Sequence, residues 1–199
     1  MATDPAQVDA DPLLVGDIAL HVVRRGTGTP ILLLHGMHNT DPRAPFLDLL
    51  GKGAQVIAPS HPGFGDSPRP DGFESIYDLM HLYLGVIDAL GHDKLCLMGL
   101  SFGGWIAAEI AALRPHRLDS LILVDALGIK LSDRETLDIL DVFNTHPDTV
   151  RRRAWHDPVR WAPDYDAMTD AQLITVARNW DALCLYGWSP YMHNPRLKR

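Results

Sequence analysis

Short apolar runs recur through the first two thirds of the chain, each followed by a polar or glycine-rich break. The runs 31–34, 95–98 and 121–124 are apolar throughout, and 55–59 is apolar apart from its first residue. Runs of this length without polar alternation are typical of strands that are covered on both faces of a parallel sheet. We therefore predict four such strands.

Between these strands, apolar residues recur at helical spacing, which predicts helices there. A short helix is predicted over 45–50, and a longer one begins at Ser75, where Asp78 completes a capping box, and ends at Gly91. A third helix follows the glycine-rich break after the third strand and stops before Pro115. This order of elements predicts an α/β fold with a doubly wound, mostly parallel sheet, with any site at the carboxyl ends of its strands.

The N-terminal apolar runs differ from the others because a tight turn joins them. Residues 13–15 and 18–23 flank Gly16-Asp17, and glycine and aspartate favour the turn of an antiparallel hairpin. Residues 24–30 are then predicted as a loop that leads into the first parallel strand. The hairpin is therefore expected to precede the parallel part of the sheet.

From Ser132 the strand-like runs disappear and helical spacing takes over. Ser132 and Glu135 have the spacing of a capping box for a first helix. The apolar positions at helical spacing are Leu137, Leu140 and Val142, and then Leu173, Val176, Trp180 and Leu183. We predict a core over 1–131 and a helical segment over 132–199. The three arginines 151–153 are interpreted as a solvated face, with a phosphate or membrane site as the alternative.

Composition excludes several classes of protein. The 199 residues are 46% hydrophobic and 22% charged, as in an ordinary globular protein, and the net charge of −7 argues against nucleic acid as a partner. No apolar run is long enough to cross a membrane, and the N-terminus lacks the pattern of a signal peptide. Two cysteines are too few for a disulfide framework, which fits a reducing compartment. We expect a cytoplasmic protein that is not bound to a membrane.

The candidate chemistry lies at Gly99-Leu100-Ser101-Phe102-Gly103, between a predicted strand and a predicted helix. A G-x-S-x-G sequence in that context predicts a nucleophile elbow, a turn so tight that the serine backbone is strained and Gly99 and Gly103 must lack side chains. The helix that begins at Phe102 aims N–H groups at the same point, which favours an oxyanion beside Ser101. The alternative is a glycine turn that matches the pattern by chance.

A second motif, His35-Gly36-Met37, ends the first parallel strand. A His-Gly pair at this place upstream of G-x-S-x-G supplies the other half of an oxyanion hole. Gly36 lets the backbone pass close to a substrate, so that the N–H of Met37 and that of Phe102 can meet at one oxygen. For His35 we favour a role in orienting the loop over a catalytic one.

Together these motifs resemble the α/β-hydrolase family, in the branch that uses a serine nucleophile and carries a helical cap after the sixth strand. The matching stretches are His35-Gly36-Met37, the loop from His61 to Ser67 (HPGFGDS), and Gly99 to Gly104 (GLSFGG). The resemblance covers essentially the whole chain and implies esterase-like or carbon–carbon-bond hydrolase chemistry. Epoxide hydrolases and dehalogenases of this family use an aspartate nucleophile, so Ser101 argues against them.

The resemblance also implies residues that this sequence does not supply. In the family the acid and the histidine follow later strands, the histidine in a Gly-His pair, so we expect the 199 residues to lack the catalytic histidine and the chain to be truncated before it. Asp125, at the end of a strand, is a candidate for the acid, with capping of the following loop as the alternative. The histidines after the serine, His116, His146, His156 and His193, do not follow a strand as required.

Two hypotheses of function follow. The first is a serine hydrolase that cleaves an ester or related acyl or carbon–carbon bond of a small, largely apolar substrate, whose pocket is shaped by residues from Trp155 to Tyr191. The second is a non-catalytic binding protein with the same scaffold, or a fragment that needs a second chain. In the second case the last strand would be an open apolar edge, which a homodimer or another partner would cover. We predict neither a cofactor nor a metal.

Overall fold

The computed structural model describes residues 12–133, 135–136, 138–188 and 192–197. Its strands are β1 (Leu13–Val15), β2 (Ile18–Leu20), β3 (Val22–Arg25), β4 (Thr29–Leu34), β5 (Ala54–Pro59), β6 (Leu95–Leu100) and β7 (Leu118–Val124). Its helices are α1 (Pro45–Gly51), α2 (Ile76–Ala89), α3 (Phe102–Leu113), α4 (Pro147–Ala154), α5 (Pro158–Trp161) and α6 (Asp170–Trp188), with short 3-10 turns at Pro115–Arg117 and Tyr165–Ala167.

The central sheet has the order β3-β5-β4-β6-β7, and all of its neighbouring pairs are parallel except β3 with β5. This arrangement confirms the predicted α/β fold with a mostly parallel sheet. In the middle of the sheet, Leu34 at the end of β4 pairs with Gly99 near the end of β6. The loop that begins at His35 and the turn at Ser101 therefore leave the sheet side by side.

The predicted N-terminal hairpin is only partly correct. β1 and β2 form an antiparallel pair, but residues 18–23 do not continue as one strand. The chain breaks at His21, and Val22 and Val23 enter the central sheet as part of β3, antiparallel to β5. The side chains of Val22 and Val23 are buried there, and this burial favours the large sheet over a longer two-stranded ribbon.

Helices α2 and α3 were predicted correctly and fix the sheet from one side. The capping box of α2 is present, with the Asp78 carboxylate accepting the N–H of Ser75 at 2.8 Å, and Gly91 takes the left-handed conformation just past the end of the helix. Helix α3 is buried along most of its length, from Phe102 to Ile110. Both helices contribute to one large apolar cluster with β4 and β6.

The helix predicted to begin at Ser132 is absent from the described residues, which form bends and irregular backbone up to α4. The Asp133 carboxylate accepts the N–H groups of Glu135 (3.0 Å) and Thr136 (2.8 Å), and that of Asp138 accepts the N–H of Ser132 (3.1 Å). Aspartate side chains that capture backbone donors in this way compete with a helix. Leu137, part of the predicted stripe, lies outside the described residues. The later stripe is confirmed by α6.

Strand β7 forms one edge of the sheet. Leu121, Ile122, Leu123 and Val124 are 36–41% exposed, although successive side chains of a strand point to opposite faces. Both faces of β7 are therefore apolar and partly open to solvent.

Candidate active site

Ser101 occupies a strained turn between β6 and α3. Its backbone has φ 48° and ψ −112°, a left-handed φ that non-glycine residues rarely adopt. The turn is held from both sides, since the Ser101 N–H donates to the Val124 carbonyl (2.9 Å) and the Ser101 carbonyl accepts the Leu127 N–H (3.0 Å). This geometry presents the side chain of Ser101 at the carboxyl edge of the sheet.

The glycines around Ser101 are required by close packing of backbone. A Cβ on Gly99 would lie 2.5 Å from the Gly103 carbonyl oxygen, and one on Gly103 would overlap the carbonyl oxygens of Leu34 and His35. A Cβ on Gly36 would lie 3.1 Å from the Cβ of Ser101. The loop after β4 and the turn after β6 are therefore packed directly against each other.

Two backbone donors are open beside Ser101. Phe102 is the first residue of α3, where N–H groups have no acceptor within the helix, whereas the N–H groups of Gly104 and Trp105 turn back to the Ser101 carbonyl. Among the described residues, no hydrogen bond engages the N–H of Met37 or of Phe102. The hydrogen-bonding capacity of both N–H groups is therefore unused within the described part of the chain.

His35 is part of a buried histidine pair rather than a free base. Its ring lies 3.8 Å from that of His61, centroid to centroid, and is 1% exposed. Nδ1 of His35 donates to the Gly36 carbonyl (2.7 Å) and Nε2 accepts the backbone N–H of His61 (2.9 Å). Burial lowers the pKa of His35 to about 4. The neutral ring therefore joins the loop after β4 to the loop after β5.

His61 and Tyr83 complete this network, and no pattern in the sequence indicates that they pair. Nε2 of His61 donates to the His35 carbonyl (2.9 Å), so Nδ1 is the acceptor for the Tyr83 hydroxyl (2.5 Å). Burial, together with the charge that His35 would carry, lowers the pKa of His61 well below its usual value. The two rings are therefore neutral, and every ring nitrogen has a partner.

Asp125 follows β7 and is exposed at the side of the cleft that Ser101 also lines. Like Ser101 it has a left-handed φ, here 45°. Of the histidines considered from the sequence, His116 lies in the turn after α3 and His146 caps α4, and none of the four lines the cleft in the described part of the chain. His38, directly after Met37, does line it. The acid and the base for Ser101 stay predictions.

A cleft of about 1180 Å³ opens above Ser101. Its apolar wall includes Met37, Leu127, Ile139, Leu140, Val142, Phe143, Trp155, Trp180 and Leu183. Charged side chains also line it, namely Asp125, Asp148, Arg151, Arg153, Asp164 and Asp166. Two of the three arginines interpreted from the sequence as a solvated face therefore border the cleft. Tyr191, the predicted limit of the pocket-forming residues, lies outside the described residues.

Helix α6 is fixed to the loops of the site by two polar side chains. Asn179 is 4% exposed, donates to Oδ1 of Asn39 (2.6 Å) and accepts the Gly65 N–H (2.9 Å). About two turns further on, the hydroxyl of Tyr186 donates to the Pro62 carbonyl (3.0 Å), and its ring stacks on those of Phe64 and Phe102. The wall of the cleft that contains Trp180 and Leu183 is therefore anchored to the core.

Outside this site the described residues offer little other chemistry. Within the ranges given above, no cluster of three or more His, Cys, Asp or Glu side chains is arranged to hold a metal ion. None of the helices described is long and apolar enough to span a bilayer. Cys96 is a buried free thiol, and Cys184 on α6 is an exposed one.

A mostly parallel sheet with a strained serine turn at the carboxyl end of a central strand is the architecture of an α/β hydrolase. The family model for the alpha/beta hydrolase fold matches residues 29–175, which is most of the chain. The chain belongs to the α/β hydrolase fold family.

Its similar proteins are hydrolases of several kinds. It is 32% identical over 134 residues to 2-hydroxy-6-oxo-2,4-heptadienoate hydrolase of Pseudomonas putida, a match that covers 63% of this chain and 48% of that protein. It is 37% identical over 128 residues to haloalkane dehalogenase 2 of Mycobacterium tuberculosis, covering 58% and 43%. Among solved structures, a thermophilic esterase from Thermogutta terrifontis matches with a TM-score of 0.52 and 31% identity, over 61% of this chain and 46% of that one. The chain spans about half the length, or less, of these relatives.

Proposed function

We propose that this protein is a serine hydrolase in which Ser101 attacks the carbonyl carbon of an acyl substrate. The observation that carries the proposal is the left-handed turn at Ser101, flanked by the open N–H groups of Met37 and Phe102. Strain of this kind persists only where the surrounding structure holds it, and it is found preferentially at active sites. A chance glycine turn would have no need of a serine in this conformation.

The proposed reaction has two covalent stages. The Ser101 oxygen forms a bond to the carbonyl carbon as its proton passes to a base, and the N–H groups of Met37 and Phe102 bind the resulting oxyanion. The bond to the leaving group then breaks, the leaving group takes up the proton, and water later releases the acyl group from Ser101. The family pattern predicts that the base is a histidine after a later strand.

The substrate class is proposed as a small, largely apolar ester, or a compound with an activated carbon–carbon bond next to a carbonyl. The apolar wall of the cleft supports an acyl chain or ring, and the name of the Pseudomonas putida relative states a carbonyl substrate. Relatives named as a dehalogenase and an epoxide hydrolase support hydrolysis only in general. The serine at position 101 argues against the aspartate chemistry of those classes.

The test is Ser101→Ala in the protein as it occurs in its source, assayed with p-nitrophenyl butyrate. Loss of the nucleophile should lower kcat by at least about 10³-fold, because only binding and the oxyanion hole remain. Ser120→Ala on the exposed strand β7 is the matched control and should retain activity. Undiminished turnover by the Ser101 variant would contradict the proposal. A fluorophosphonate probe should label the wild type and not this variant.

A second candidate function is favoured by the open strand β7. An apolar edge with both faces partly exposed is a site for association, so we propose as the alternative a non-catalytic binding protein whose edge is covered by a second copy or another partner. Light scattering over a range of concentrations measures the association, and the fluorophosphonate probe distinguishes the alternatives. A dimer that labels at Ser101 favours the hydrolase, whereas an unlabelled dimer favours the binding protein.

A further inference from the structure

Asn179 is a buried polar residue in the outer helix α6, and both ends of its amide are used. Its Nδ2 donates to Oδ1 of Asn39 and its Oδ1 accepts the N–H of Gly65, so one side chain joins segments that are 140 and 114 residues away in sequence. Burying an amide is unfavourable unless its hydrogen bonds are made. The position therefore selects for a side chain that can donate and accept at once.

The partners of Asn179 are themselves closely packed. Gly65 has a left-handed φ of 56°, and a Cβ there would overlap the side-chain amide of Asn39. Asn39 thus packs against Gly65 and accepts a hydrogen bond from Asn179, and Gly65 and Asn179 are joined by a hydrogen bond of their own. A side chain held by both contacts fixes the backbone that carries it.

That backbone is the far end of the loop 35–39, which follows β4 and which we call the oxyanion loop. The near end is held by the His35–His61 pair and by the contact of Gly36 with Ser101, and the side chain of Met37 packs against the large apolar cluster. Asn39 is only two residues beyond Met37. We propose that Asn179 is a positioning residue, which acts through Asn39 to hold the N–H of Met37 toward the oxyanion that forms beside Ser101. This inference rests on the proposed serine hydrolase function.

The proposal also connects substrate binding to the oxyanion hole. Trp180, the neighbour of Asn179 on α6, lines the cleft, and Leu183 lies one turn further along the same helix. A substrate that packs against these side chains contacts the helix that holds the oxyanion loop. The Met37 N–H would bind an oxygen on which charge develops only in the transition state. The contribution of Asn179 should therefore appear in the transition state rather than in ground-state binding.

The experiment uses Asn179→Ala in the protein from its source, with kcat and KM measured on p-nitrophenyl butyrate. We expect kcat to fall about tenfold, because the Met37 donor is displaced rather than deleted, with KM changed by less than about twofold. Arg178→Ala, an exposed neighbour on the same helix, should have wild-type values. A kcat within twofold of wild type in a folded Asn179 variant would overturn the proposal.

A second comparison separates positioning of the loop from docking of α6. Tyr186→Phe removes the other polar anchor of α6, the bond to the Pro62 carbonyl, without touching Asn39. It should keep kcat, and the same loss of kcat in this variant would mean that docking alone matters. Asn39→Ala, at a half-buried site, should reproduce the loss even if Asn179→Ala fails to fold, and a normal kcat in it would also overturn the proposal.

A double variant and Ser101→Ala complete the set. Asn39→Ala with Asn179→Ala should be no slower than either single change, because both remove one interaction, and additive losses would contradict this. If Ser101→Ala retains full activity, the proposed function fails. If Ser101→Ala is inactive and both asparagine variants turn over normally, only the positioning role fails.

Discussion

Helix α6 and the segment 129–169 form two walls of the same cleft, but they are attached to the core very differently. Helix α6 buries Asn179, Ala182, Leu183 and Tyr186 against the loops of the site. No described residue of 129–169 is buried, and large apolar side chains such as Phe143 and Val159 are 77% and 91% exposed. One wall is therefore fixed, and the other has little burial to stabilise it.

The difference shows that apolar residues at helical spacing form a helix where their apolar face can pack against the core. Both regions have such spacing, but only α6 has aromatic rings of the core beneath it, Phe64 and Phe102, on which Tyr186 stacks. Tertiary packing supplies most of the stability of a helix in a protein. In 129–169 the hydrogen bonds instead join near neighbours, as from Lys130 Nζ to the Thr136 carbonyl (2.6 Å).

The largest difference in the free energy of unfolding is expected between two variants that each delete one tyrosine, one in each wall. Tyr186→Ala deletes a fully buried ring and should lower the free energy of unfolding by about 3–5 kcal/mol. Tyr165→Ala, at a residue 44% exposed, should change it by no more than about 0.5 kcal/mol. Urea denaturation of both variants measures the difference. Equal losses would mean that the two walls are anchored alike.

An intermediate effect is expected from acid. The pKa of His35 is about 4 in the folded protein against 6.5 for a free histidine, so the unfolded chain binds more protons between these values. Stability should be complete above pH 6.5 and fall as the pH is lowered toward 4, by about 3 kcal/mol for His35 alone. His61, whose pKa is also lowered, acts in the same direction.

The acid effect should appear first in the fixed wall. The ring of His61 packs edge-on against Phe64, which stacks on Tyr186 of α6. Hydrogen exchange at pH 5 should therefore accelerate in α6 relative to pH 7, after correction for the intrinsic rate, and should change little in α4. A free energy of unfolding that is constant from pH 7 to 4.5 would contradict the assignment of neutral, buried rings.

The smallest effect is expected in the loosely attached wall. Trp161 is 57% exposed and lies under the guanidinium of Arg160, 4.6 Å from the ring centroid. Trp161→Ala should lower the free energy of unfolding by about 0.5–1 kcal/mol, as for an exposed cation–π contact. Thermal or urea unfolding measures this change. If Trp161→Ala lowers the free energy of unfolding as much as Tyr186→Ala does, Trp161 is buried, and the segment 129–169 is not the loosely attached wall.

The elements that the sequence predicted well are those whose signal is local. Wholly apolar runs predicted β4, β6 and β7, and the Ser75–Asp78 capping box predicted the start of α2. The turn at Ser101 was predictable for the same reason, since its glycines lie within a few residues of it. The serine's catalytic role, the oxyanion donors and the candidate acid Asp125 stay predictions.

The features that were missed or wrong depend on contacts distant in sequence. Nothing local indicates that Asn179 meets Asn39, or that His61 pairs with Tyr83, because these partners lie on different elements that only the fold brings together. The helix predicted from Ser132 was wrong because aspartates nearby captured its backbone donors. A capping pattern was not sufficient to form a helix where no surface of the core was available for the helix to pack against.

The left-handed backbone of Ser101 sets stability against chemistry at a single residue. A serine in this conformation costs about 1–3 kcal/mol, whereas glycine adopts a positive φ freely. Selection for stability alone would therefore replace the serine with glycine and leave the turn intact. If the chain is a hydrolase, the most stabilising substitution at the elbow, Ser101→Gly, is also the one that removes the nucleophile. Purifying selection must then act continuously against that one substitution.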